Sequence, residues 1–173
     1  MVTFYPYRFV MNCKGEADAP YAQKSLYAFD SPRTRQGYMV WVEEYEHHFY
    51  AIKFHLRKDK NNKDRYSVMT GLGEARPVIN TCIRIMLEIA QKDDLSSFGF
   101  IGASMPQEST INTKRFRVYR RIMATYVSEE HFEHRFNIKK STYILLRRKA
   151  MQENPNLEYQ IQERFIQLYP YFE

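Results

Sequence analysis

The feature that most constrains this chain is a change of hydrophobic period across Thr70-Gly71-Leu72-Gly73-Glu74-Ala75-Arg76-Pro77. Upstream lie short β-branched and aromatic runs bounded by polar turns, the pattern of strands. Downstream, Val78, Ile79, Cys82, Ile83, Met86, Ile89 and Ala90 recur at three- and four-residue steps, which marks one face of a helix. Two glycines at the junction let the backbone turn sharply, and Pro77 suits a first helical turn, where a missing N–H costs nothing. Such a junction leaves helix N–H groups open to a phosphate, and it serves equally as a plain connection.

The same patterns extend along the chain. Strands are expected over 4–10, 25–29, 38–45, 48–56 and 65–69, with a polar loop over 58–64. After the helix over 78–91, Phe98-Gly99-Phe100-Ile101-Gly102-Ala103 reads as a buried strand whose glycines permit close approach. A second helix over 113–126 takes Asn112 as N-cap and turns Val118, Tyr119, Ile122, Met123 and Tyr126 inward. A strand over 142–147 and a last helix over 157–169 complete the order. Meander, helix, strand, helix, strand predicts a mixed α+β fold, a central sheet with helices packed on it. A chain of 173 residues is expected to form one domain over 1–173.

That order over 38–148 resembles the GNAT acetyltransferase superfamily, including uncharacterised acetyltransferase-like proteins of bacteria and their phages. The family's pyrophosphate loop reads Arg/Gln-x-x-Gly-x-Gly/Ala, and Gly71, Gly73 and Ala75 stand in a matching Gly-rich stretch. Asn112 and Tyr119, seven positions apart, match the Asn and Tyr of the family's second helix. The resemblance implies transfer of an acetyl group from acetyl-CoA to an amine. Leu72, Gly73, Glu74, Ala75 and Arg76 would then hold the pyrophosphate with Asn112 nearby, and Tyr119 would protonate the departing thiolate. A base from the middle strands, Glu44 foremost, would deprotonate the amine. Thr70 stands where the family has Arg or Gln, and Glu74 adds a negative charge beside the proposed phosphates. The alternative is therefore a non-catalytic binding module on the same fold.

Several residues carry two readings. Tyr119 is a proton donor or a core aromatic. Glu43, Glu44 and Glu46 are a source of a base or a charged hairpin. His131 and His134 suggest a shared helix face, but too few ligands stand near them for a metal site, and none is expected. Cys82 reads as a buried thiol, and two cysteines make no disulfide framework. Residues 114–149 hold 11 Lys or Arg against three Glu, within a net charge of +6. That surface suits an acidic protein partner, the 3′-phosphate of CoA or, as a third choice, nucleic acid. A small amine is the other expected partner. No apolar run reaches membrane-spanning length, and no signal peptide opens the chain, so a cytoplasmic location is expected.

Overall fold

In the computed structural model, residues 3–67, 73–102 and 108–168 are described. Seven strands form one sheet: β1 (Tyr7–Lys14), β2 (Gln23–Asp30), β3 (Gly37–Tyr45), β4 (Phe49–Leu56), β5 (Ser97–Ile101), β6 (Phe132–Asn137) and β7 (Thr142–Arg147). Their spatial order is β1-β2-β3-β4-β5-β7-β6, with β4 and β5 parallel and every other pair antiparallel. The helices are α1 (Ala75–Lys92), α2 (Lys114–Tyr126), α3 (Arg148–Glu153) and α4 (Leu157–Leu168). The mixed α+β architecture expected from the sequence is present.

Period-2 alternation decides which helix covers which face. Val40 and Val42 of β3, with Ile52, Phe54 and Leu56 of β4, pack against Val78, Ile79, Cys82 and Met86 of α1. The same cluster takes in Phe116, Tyr119, Ile122 and Met123 of α2. The opposite face offers Phe49, Ala51, Ile144 and Leu146 to Ala150 of α3 and to Leu157, Ile161 and Phe165 of α4. Each fully buried large side chain contributes roughly 1.5–3 kcal/mol, so the centre of the sheet is where stability concentrates. Gly99 makes the second layer possible. A Cβ there would strike the Phe165 ring and lie 2.7 Å from that of Phe49.

Several boundaries differ from expectation. The first strand runs from Tyr7, just after Pro6, to Lys14 rather than over 4–10. Residues 65–67 form a 3₁₀ turn rather than a strand, and 68–69 lie outside the described residues. β5 pairs with β4 instead, and the Tyr66 ring meets His55 of β4 edge-on at 5.4 Å. His131 precedes a strand and His134 lies within it, so they share no helix face. Strand β6 and the short helix α3 have no counterpart in the sequence reading.

Candidate functional site

Parallel strands β4 and β5 pair only through Phe49↔Ser97, Tyr50↔Phe98 and Ala51↔Gly99. Beyond that register they hold no ladder together, and each leads through a connection into a helix. Both helix N-termini therefore follow the carboxyl ends of two diverging parallel strands, the place where open α/β sheets generally receive ligands.

The N-terminus of α1 is built around a buried carboxylate. Glu74 is 1% exposed and accepts hydrogen bonds from the hydroxyls of Tyr38 (2.6 Å), Ser31 (2.7 Å), Tyr5 (2.9 Å) and Thr34 (3.0 Å). Burial works to raise its pKa, but the four hydroxyls outweigh burial and hold the carboxyl below its ordinary value. The side chain is thus turned into the sheet, away from any ligand at the helix mouth. Ala75 and Arg76 are exposed, and first-turn N–H groups have no intrahelical acceptor. Gly73 sits at φ 65°, a left-handed conformation open to glycine, and its carbonyl accepts from exposed Arg33 at 3.1 Å. Leu72 lies outside the described residues.

At α2 the cap differs from expectation. Thr113 is the N-cap: its hydroxyl accepts from the Phe116 N–H at 3.1 Å and donates to the Gly102 carbonyl at 2.6 Å. Asn112 adopts φ 51°, and its carbonyl accepts from Arg117 at 2.6 Å. One turn inside, Arg115 is 7% exposed, with its guanidinium 4.4 Å from the Phe54 ring centre and donating to the Tyr66 carbonyl. Burial pulls its pKa down. Arg115 and the 65–67 turn thus stand beside β4 where β5 has diverged. Tyr119 is 2% exposed and packs on Phe100 at 5.2 Å. Burial, with Cys82 adding to it, drives its phenol well above the ordinary value.

Glu44 belongs to another neighbourhood. On β3 it shares a face with Tyr38, but six residues on, about 20 Å along the strand. There Glu44 accepts from the Tyr50 hydroxyl at 2.8 Å and from the Gln23 amide. The same Tyr50 oxygen lies 2.8 Å from Asp93 at the end of α1, and Asp93 in turn meets His48 Nδ1 at 2.8 Å. The chain turns through His47 and His48 at φ 64° and 55°, a conformation few non-glycine residues adopt. The residues expected to act together are therefore split between the two ends of α1. Tyr50 and Asp93 escaped the sequence reading because the one looked like a strand aromatic and the other like a helix stop.

At least five of the eleven Lys and Arg over 114–149 are turned to partners within the chain. Arg135 and Arg148 bridge to Glu133, Lys149 bridges to Asp94, Arg115 is buried, and Arg147 donates to the Ala90 and Asp93 carbonyls. Among the described residues no group of three His, Cys, Asp or Glu could hold a metal, and no helix is long and apolar enough to cross a membrane. Comparison with protein families, with curated proteins and with solved structures finds no match to this chain.

Proposed function

We propose that the chain binds an acyl-CoA through the opening between β4 and β5 and acts as a divergent GNAT-like N-acyltransferase towards an amine. The observation that carries this reading is the three-residue parallel pairing of β4 and β5, with α1 and α2 both opening at their carboxyl ends. The residues at α1 suit phosphates: N–H groups at Ala75 and Arg76, the positive end of the helix, and the exposed guanidinium groups of Arg33 and Arg76. Glu74 does not oppose them directly, because its charge is held by four hydroxyls. An acyl-CoA supplies an activated thioester, and this chain orients it. Titration calorimetry with acetyl-CoA tests the reading. Binding tighter than about 1 mM is expected, and no heat at that concentration removes it.

One observation favours a second reading, a binding module without transfer. Tyr119 is closed off, and Arg115 and Tyr66 fill the side of β4 along which a thioester would approach. Release of free CoA thiol in the presence of amines separates the two. Binding without release, and without change on Tyr119→Phe, supports the module.

A further inference from the structure

On the sheet face away from α1 and α2, the β6–β7 hairpin and α4 border a cavity of about 230 Å³. That exceeds the ~150 Å³ of an engineered cavity that takes benzene. Its apolar wall is Ile144, Phe165 and Ile166, the first two 8% and 7% exposed. The polar wall comes from the hairpin. The register Arg135↔Ile144 and Asn137↔Thr142 puts these four side chains on one face of the sheet, the face that α4 covers. The turn between the strands is tied down, with the Lys140 N–H donating to Asn137 Oδ1 at 3.1 Å and the Ser141 N–H to the Ile138 carbonyl at 3.3 Å. That turn brings Lys140 to the same mouth.

None of the residues lining this space is acidic. Arg135 is already committed: its guanidinium bridges Glu133 at 3.0 Å and Glu158 at 3.2 Å. Gln162 likewise donates to Glu158 at 3.2 Å. Lys140 is different. Its ammonium forms no ion pair among the described residues, and neither it, the Asn137 Nδ2 group nor the Thr142 hydroxyl donates to any of them. One cation and two neutral donors beside an apolar wall match one ligand chemistry, a carboxylate on an apolar body. A carboxylate only accepts, and its bonds to charged donors are the strong ones. A phosphate dianion fits less well, because a single cation faces it and the apolar wall would strip its water. The carbonyl end of α4 lies beyond Phe165 and Ile166 and is negative, so the charged head belongs at the hairpin and the body against the helix.

We infer that this cavity binds a small apolar monocarboxylate, its head on Lys140 Nζ, Asn137 Nδ2 and the Thr142 hydroxyl and its body, the size of one aromatic ring, against Ile144, Phe165 and Ile166. The site lies across the sheet from α1 and α2. It stands independently of the acyl-CoA reading, because every arm of its test omits CoA.

Titration of the full chain with benzoate, followed through backbone amide shifts, tests it. Benzamide serves as the neutral comparator of the same shape, and acetate as the head without the body. Benzoate is expected to saturate with a Kd of about 1 mM or below, moving the amides of 137, 140, 142, 144 and 166. Benzamide and acetate should each bind at least about tenfold more weakly, the one losing the charge-assisted contact and the other the apolar burial. Lys140→Met should weaken benzoate about tenfold. Asn137→Asp keeps an oxygen to accept from the Lys140 N–H but puts a negative charge where the amide donor stood, and should weaken benzoate at least about tenfold. Unchanged shifts away from the hairpin show that both variants keep the fold. Equal affinity for benzamide, saturable shifts confined to other residues, parental affinity in both variants, or no shifts at about 10 mM benzoate would overturn the proposal.

Discussion

Glu74 shows how much a single residue can organise. A buried carboxylate is costly unless its oxygens are satisfied, and here hydroxyls from β1's approach, the β2–β3 connection and β3 itself all converge on it. It therefore ties the start of α1 to three segments far away in sequence. Glu74→Gln, which removes the charge from four donors, should lower unfolding stability by about 2–4 kcal/mol, measured by denaturant melts. Tyr38→Phe, which removes one donor, should cost about 1–2 kcal/mol. The pH sign follows from the lowered pKa. Glu74's contribution is full above the ordinary glutamate range near ~4.3 and is lost as pH falls through the lower folded value. Melts on the Gln variant should show a shallower acid loss than the parent; an identical acid slope would mean that Glu74 is not the group titrating. In the sequence Glu74 read as a liability beside phosphates. Its actual role depends on Tyr5, Ser31, Thr34 and Tyr38, whose approach no local pattern announces.

Among the elements, α4 and β5 are mutually dependent. Phe165 lies over Gly99 and stacks obliquely on Phe49 at 5.5 Å, so the helix seats only because β5 lacks a side chain at that point. Phe165→Ala should cost about 3 kcal/mol, the usual range for a buried aromatic, and melting of the variant would check it. Gly99→Val should be at least as damaging, because its branched side chain meets two rings. A Gly99→Val protein with parental stability would show that α4 is not seated there. The elements with strong periodicity, α1, α2, β3, β4 and β7, were legible from sequence to within a few residues. The segment 65–67 was not: Arg65 and Tyr66 are compatible with a strand, yet the chain turns back so that Tyr66 meets His55 and its carbonyl meets Arg115. At α2, Asn112 and Thr113 are both good caps, and the hydrogen bond of Thr113 to Gly102 decides between them.

For the whole molecule, the sheet has a covered centre and two open edges. β3 is paired on both sides along its length, β4 is paired along its length with β3 and over three residues with β5, and both lie beneath α1, whereas β1 is exposed along most of its length, including Phe9, Val10 and Met11. Native-state hydrogen exchange should therefore be slowest for amides of β3 and β4 and should open first at β1, with β6 next. Protection of β1 equal to that of β3 would mean that a partner covers that edge in solution. Charge is also divided by position. Glu44 and Asp93 gather at the β3–β4 turn end, while Arg33 and Arg76 lie at the mouth of α1, so one overall charge of +6 describes neither end.

Period and composition by themselves determined the kinds of element, most of their limits and the mixed α+β class, because alternation and 3.6-residue spacing are local consequences of burying one face. Tyr119 and Glu44 became residues of interest only through the resemblance to the GNAT superfamily. Only the tertiary structure decided that β5 lies parallel to β4, that Glu74 is enclosed by hydroxyls, that Tyr119 is shut within the core, and that Glu44 meets Tyr50 and Asp93 instead. Each of those outcomes joins residues distant in sequence, and the free energy that selects among them comes from desolvation and hydrogen bonding in the assembled core, which no local window contains.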